Sequence, residues 1–262
     1  QVPEIAARAY LLVDVTAQQV LAELDADKPI EPASLTKLMT VRVALKSPKL
    51  ETLHTVVKEE LVSDAYGGFV VGDTYSVFDL IDAALIASIN NAAAMVAASS
   101  GQSREVFTTS MNYEAERMGL KTLHFASTTG LDTLDLKPTA VGSAHDITLL
   151  IQKNAVDFPN IFSSSVKSTA SIHATNGRGV DLKNTNDAIE KLPLLLASKT
   201  GYTVSAGGNL AVLWEDAGGD TFGATVLGST VTGRFTDMIA LHDAAHEYVE
   251  GAKKLPKNCR VF

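Results

Sequence analysis

The stretch LPLLLASKTGYTVSAGGNLAVLWEDAGGDTFGATVLGST, residues 192–230, decides the fold. It contains three apolar, strand-like runs, separated by turns of the VSAGG and AGGD kind. Such spacing predicts an antiparallel meander. The segment TDMIALHDAAHEYVEGAKK (236–254) follows with helical periodicity and closes the chain. Working back to the start, AYLLVDV (9–15) reads as a buried strand, TAQQ as a turn and VLAELDAD (20–27) as the partner strand. Strands therefore sit at both ends of the chain.

The middle is different. From Ser34, the apolar residues Leu35, Leu38, Val41 and Leu45 (with Met39 as an alternative to Val41) recur at helical spacing. Further helices are expected over 78–88, in the AAAMVAASS run, over 104–120 with Gly119 as C-cap, and over 143–155. The polar stretch 163–186 suggests short exposed strands and turns, and YGG at 66–68 a turn. The expectation is an α+β chain: a five-stranded antiparallel sheet flanked by helices with a large helical insertion. It is read as one domain, 1–262, with the sheet part roughly 1–30 and 180–262 and the mainly helical part roughly 31–179.

Composition bounds the function. The chain has 262 residues, 46% hydrophobic and 20% charged. That suffices for a core without disulfide or metal staples, and argues against disorder. Its single cysteine, Cys259, has no partner for a disulfide. With 22 basic and 30 acidic residues the net charge is −8, unsuited to binding phosphate backbones or anionic membranes. The longest uncharged run, 83–103, carries Ser88, Asn90 and Asn91 in its middle and is rich in alanine. It reads as two buried helices with a polar junction, not a membrane span. The chain begins at Gln1, and the expectation is that a leader was removed or the chain trimmed.

Three short motifs can carry chemistry. In Ser34-Leu35-Thr36-Lys37, residues i and i+3 share a helix face, so the hydroxyl can meet the amine. A serine hydroxyl needs a neighbouring base, and burial can make lysine one. Ser88-Ile89-Asn90, at a helix junction, can offer a hydroxyl relay and an amide for a carbonyl. Lys199-Thr200-Gly201 opens the meander, where a lysine and a hydroxyl can hold a carboxylate and the glycine permits close approach of a substrate backbone. Each alone has an ordinary explanation: a capping serine, a capped junction, a turn. All three in this order are far rarer.

With these motifs the chain resembles the low-molecular-mass penicillin-binding proteins of the D-alanyl-D-alanine carboxypeptidase family. The similarity runs through LLVDVTAQQVLAELDADKPIEPASLTKLMT (11–40), FASTTGLD (125–132), SAHDIT (143–148), NTN (184–186) and SKTGYTVSAGGNLA (198–211). The resemblance implies a serine peptidase without metal or organic cofactor, acting on peptidoglycan stem peptides ending in D-Ala-D-Ala and acylated by β-lactams. It implies Ser34 as nucleophile, Lys37 as base, and Ser88 and Lys199 as the path of the proton to the departing D-alanine. Asn90 would hold the peptide carbonyl. Thr200 and Arg234 would bind the terminal carboxylate beside Gly201, and the N–H groups of Ser34 and Tyr202 would form the oxyanion hole. Lys199 is expected nearer the mouth of the cleft and charged. Such a substrate places the protein outside the cytoplasm, exported by a signal this chain does not carry.

Four departures from the family pattern bear on substrate preference and hydrolytic rate. Asn91 stands where an aspartate is common, the Tyr66–Gly72 stretch is short, LLLAS precedes Lys199, and Thr185 occupies a position where some relatives carry arginine. The glutamate-bearing E-x-x-L-N loop of class A β-lactamases has no counterpart between Ser88 and Lys199, so a penicillin adduct should be long-lived. The family's frequent second β domain and C-terminal amphipathic anchor are not expected within these 262 residues, the chain being read as truncated or naturally short.

Two alternatives compete. HDAAH places His242 and His246 at i and i+4, the spacing of a zinc peptidase helix, with Asp243 in place of glutamate. A non-catalytic peptidoglycan-binding protein could keep the fold. His124 and His145 read as surface or capping residues, and Lys253, Lys254 and Lys257 as a solvated tail.

Overall fold

The computed structural model describes residues 4–62, 67–251 and 262. Tyr66, the basic tail and Cys259 lie outside the described residues.

In chain order, β1 (Ala9–Asp14) and β2 (Gln19–Leu24) form a hairpin. A 3₁₀ turn, Ala33–Thr36, leads into α1 (Lys37–Leu45). The short strands β3 (Leu53–Thr55) and β4 (Thr74–Ser76) pair, and α2 (Val77–Leu85), α3 (Asn90–Ala98) and α4 (Arg104–Arg117) follow. Next come β5 (His124–Phe125) with β6 (Ala140–Val141), then α5 (Ala144–Asp157) and α6 (Pro159–Phe162). The hairpin β7 (Thr169–His173) and β8 (Gly179–Lys183) precedes β9 (Leu195–Thr203), β10 (Gly207–Glu215), β11 (Thr221–Ser229) and α7 (Gly233–Glu250).

Both ends of the chain build one antiparallel sheet in the order β2-β1-β11-β10-β9. The sheet resumes at Leu195 and not near residue 180: β8 pairs with β7 in a separate hairpin. The helical segment leaves from one edge strand, β2, and returns at the other, β9. One face of the sheet carries a core with α7 around Leu12, Val212, Trp214 and Met238, and the opposite face carries the larger core with Leu11, Val13, Leu213 and the inserted helices. All six residues of β1 are buried because both faces are covered, and its sequence is apolar from Ala9 to Val13 where a half-exposed strand would alternate.

Helix starts follow their serines. Ser76, Ser103 and Ser143 accept from the backbone N–H of Phe78, Val106 and Asp146, and Gly119 takes φ +76 just past α4. α1 departs from the amphipathic expectation: every residue from Lys37 to Ala44 is buried. Its Arg42, 3% exposed, donates to Glu114, Asn154 and Asp157 and so ties α1 to α4 and α5. Burial opposes ionisation of Glu114, but hydrogen bonds from Arg117, Lys46 and Arg42 outweigh it and hold its pKa at about 2.

Candidate active site

Ser34 sits in the 3₁₀ turn that precedes α1, and Ala33 before it adopts φ +50. A left-handed non-glycine backbone is strained by about 1–3 kcal/mol, and here the strain falls beside the candidate nucleophile. Lys37, the first residue of α1, is 0% exposed. Its Nζ lies 2.7 Å from Ser34 Oγ, 2.8 Å from Asn90 Oδ1 and 3.0 Å from the carbonyl oxygen of Thr129. Among the described residues it has no ion-pair partner, and burial alone pushes its pKa from 10.5 down to about 7.

That set of contacts fixes where a neutral Lys37 aims its lone pair. Asn90 Oδ1 and the Thr129 carbonyl can only accept, so they take the two N–H bonds of the amine. The third contact is the Ser34 hydroxyl, which then donates to Nζ.

The second pair is Lys199 and Ser88. Lys199 lies on β9 and its Nζ donates to Ser88 Oγ at 2.7 Å and to the Thr200 carbonyl at 3.0 Å. Ser88 occupies the turn between α2 and α3 at φ +57, as the junction reading expects. The placement of Lys199 near the mouth is corrected: it is 1% exposed. Burial, then the charges of Lys37 and Arg234, press its pKa well below that of an ordinary lysine. A strand that carries helices on one face and the 3₁₀ turn against it leaves no wet side for this residue.

Gly201 also admits a neighbour from the protein itself. A Cβ there would lie 2.6 Å from the Pro32 carbonyl oxygen and 3.2 Å from Ser34 N. The missing side chain lets the protein's own serine turn, not only a substrate, approach β9. Gly130 acts likewise from the other side: it has φ +76, and its Cβ would strike the Ala33 carbonyl. Thr200 is 4% exposed and its hydroxyl meets Thr185 Oγ1, whereas Tyr202 is 48% exposed at the rim. Arg234, 9% exposed, donates through Nη1 to the Gly201 carbonyl at 2.9 Å, stacks over Phe235 and leaves a buried Nε unpartnered.

The structure thus brings Ser34, Lys37 and Asn90 into one hydrogen-bonded set, and Ser88 and Lys199 into another. Thr200 and Gly201 follow Lys199 on β9, and Arg234 reaches the group through the Gly201 carbonyl. The Thr129 carbonyl was missed by sequence reasoning, because a main-chain acceptor leaves no mark on residue type. His242 and His246 lie elsewhere. They line a cavity of about 320 Å³ with Trp214, Phe222 and the β10–β11 turn. The His242 ring packs 5.3 Å from Trp214, and His246 faces Glu250 at 3.6 Å. Among the described residues, no three potential metal ligands come together, so the donor set a zinc peptidase needs is not assembled.

Solved structures place this architecture in the penicillin-binding and DD-transpeptidase fold class. A D-alanyl-D-alanine carboxypeptidase from Mycobacterium tuberculosis superposes with a TM-score of 0.84 at 22% identity, over 100% of this chain and 96% of that one. Penicillin-binding protein D2 from Listeria monocytogenes, solved in a cefotaxime-bound form, gives 0.81 at 29% identity over 93% of this chain and 98% of that one. The model of the peptidase S11 family, D-alanyl-D-alanine carboxypeptidase, matches residues 1–228, and the chain belongs to that family. It is 31% identical over 258 residues to the D-alanyl-D-alanine carboxypeptidase DacC of Escherichia coli K12, covering 93% of this chain and 60% of that protein. For DacA of the same strain the values are 30% over 249 residues, 89% and 59%. The chain therefore spans about 60% of the length of these curated relatives.

Proposed function

We propose that this chain catalyses acyl transfer on peptidoglycan stem peptides ending in D-Ala-D-Ala, by way of an acyl-enzyme on Ser34, and that β-lactams acylate the same serine. The observation that carries the reading is the contact set of Lys37, which leaves its lone pair facing the Ser34 hydroxyl.

In acylation, Ser34 Oγ attacks the carbonyl of the terminal amide while its proton passes to Lys37 Nζ. The new C–O bond forms and the C–N bond to the last D-alanine breaks. The leaving amine takes a proton through Ser88 and Lys199, already 2.7 Å apart. The N–H groups of Ser34 and Tyr202 stabilise the oxyanion. Asn90 orients the substrate carbonyl, and Thr200 with Arg234 receives the terminal carboxylate. Water, or an amine in transpeptidation, then attacks the acyl-enzyme and gives its proton to Lys37 Nζ; the ester C–O bond breaks, Lys37 hands the proton to Ser34 Oγ, and both groups return to their starting state with Lys37 neutral. A fully buried lysine with no counter-ion among the described residues supports this order of events, because an amine with a pKa of about 7 is substantially neutral at working pH.

Such a substrate lies on the wall side of the membrane, so the protein works outside the cytoplasm, in wall maturation and cell shape. No described helix is long and apolar enough to cross a membrane. The test is intact mass spectrometry after incubation with penicillin, with release of D-alanine from a D-Ala-D-Ala peptide measured in parallel. A stoichiometric adduct mapped to Ser34 together with free D-alanine supports the reading. No adduct and no D-alanine overturns it.

A further inference from the structure

Thr185 belongs to none of the three motifs, yet its hydroxyl oxygen lies 2.5 Å from the hydroxyl of Thr200. We infer that Thr185 is a positioning residue for carboxylate recognition: it donates to Thr200 Oγ1 and thereby turns the Thr200 proton towards the substrate. This rests on the acyl-transfer reading, in which Thr200 meets the terminal carboxylate.

Each threonine hydroxyl has one proton to give. The other acceptor near Thr185 Oγ1 is the Ile86 carbonyl at 3.5 Å, beyond the 2.5–3.0 Å of a well-formed O–H···O bond, and that carbonyl already accepts from the Thr185 N–H at 3.2 Å. The Thr185 proton therefore finds its good acceptor in Thr200 Oγ1. Thr200 is left free to donate its own proton, and a carboxylate is the stronger acceptor to take it. The two bonds polarise one another in the same direction.

The segment around Thr185 is braced against drift. Asn184 Nδ2 donates to the carbonyls of Ser165 and Lys167 at 2.8 Å. Asn186 Nδ2 donates to Ser198 Oγ on β9 at 3.0 Å, one residue before Lys199. The backbone bond to Ile86 joins this segment to the end of α2, which leads to Ser88. Thr185 thus spans from the Ser88 side of the cleft to β9. Its hydroxyl fixes the rotor of a carboxylate donor, while its main chain fixes the separation of the two walls.

The test compares Thr185→Val, which keeps the shape and removes the hydroxyl, with Thr185→Ser, which restores it. Two substrates are used: a D-Ala-D-Ala peptide and the same peptide with a C-terminal amide. Thr185→Val should raise KM for the carboxylate peptide about tenfold, the worth of one lost bond to a charged group, and leave kcat within about twofold. The amide peptide should be unaffected, Thr185→Ser should recover wild-type KM, and Thr185→Val added to Thr200→Val should do no further harm. Equal losses on both peptides, a loss confined to kcat, failure of serine to rescue, or additivity with Thr200→Val would each overturn the assignment. Equilibrium binding of the two peptides to the Ser34→Ala protein gives the same comparison without chemistry. If the wild type forms no penicillin adduct but Thr185→Val still abolishes the preference for the carboxylate peptide, the acyl-transfer reading fails and this one stands. An adduct without that change in preference gives the reverse.

Discussion

Replacing Lys37 with methionine should alter the pH dependence of stability in a way the burial of this amine fixes in advance. Lys37 is 0% exposed, and burial lowers its pKa from 10.5 to about 7. Between those values the unfolded chain holds a proton that the folded protein has shed, so wild-type stability rises with pH across this window. Below about 7 both states are charged, and the whole gap, about 5 kcal/mol, weighs against folding. Above about 10.5 both are neutral and the penalty is gone. Integrated from pH 7 to pH 9, the wild type gains about 2 kcal/mol that methionine cannot supply. Methionine also leaves Asn90 Oδ1 and the Thr129 carbonyl without their donor, a loss that does not depend on pH. Removing the Lys37 charge relieves Lys199, whose pKa then moves back up, and this flattens the variant's curve further. The assay is urea unfolding of both proteins at several pH values from 7 to 9. Parallel curves would refute the claim that the folded protein holds this lysine neutral at working pH.

Four further outcomes follow from the same geometry. Ser34→Ala should keep the wild-type unfolding midpoint to within about 1 kcal/mol and lose all penicillin labelling, read by mass spectrometry; a remaining adduct moves the nucleophile elsewhere. The rate of penicillin acylation should fall as pH drops through about 7, where Lys37 takes up its proton, and Lys37→Arg should be inert at every accessible pH; a flat profile from pH 5 to 9 contradicts a lysine base. Gly201→Ala should push the serine turn off β9, since its Cβ would sit 2.6 Å from the Pro32 carbonyl oxygen; a loss of about 1–3 kcal/mol in urea together with slower acylation is expected, and a silent substitution would disprove the tight seat. Glu114→Gln leaves the buried Arg42 with Asp157 as its remaining carboxylate and should destabilise by about 3 kcal/mol near neutral pH. The wild type should lose the same stabilisation as pH falls from about 4.5 towards about 2, and a chemical-denaturation series in acid checks both.

The sheet was readable because β1, β10 and β11 are largely apolar runs and glycine-bearing turns divide the meander, while β9 is marked by the apolar residues ahead of Ser198. The boundary near 180 is set too early: the polar stretch 163–186 reads as short exposed strands and turns, its GVDLK pairs with TASIH in a hairpin of its own, and the sheet resumes only at Leu195. The Ser34–Lys37 contact was legible from i, i+3 spacing, although the turn that makes it is 3₁₀. The burial of Lys199 was not legible. Its exposure depends on what covers β9 from elsewhere in the chain, and nothing local in ASKTG records that. Gly201 was identified as a close-approach residue, but the neighbour it admits, Pro32 to Leu35, is distant in sequence. The pairing of Thr185 with Thr200 escaped for the same reason: threonine pairs between a loop and a strand have no fixed spacing.

The routing of the chain from one edge of the sheet to the other has a kinetic consequence. Leu11 on β1 pairs with Thr225 on β11, and every helix of the insertion is synthesised between them. The first hairpin emerges with β1 already apolar on both faces and one side unpaired, and it must wait until nearly the whole chain exists before that side is satisfied. At about 5–20 residues per second, that wait is tens of seconds or less than a minute, long compared with hairpin formation. During it, β1 is an open edge able to join another nascent chain. Lys199 reaches Ser88 only once β9 has formed, and β9 joins β1 only through β10 and β11. The nucleophile and its first base can meet within a short local segment, but the second lysine arrives at the end of folding. A partly folded chain would therefore hold the pair that starts the chemistry without the pair that releases the product.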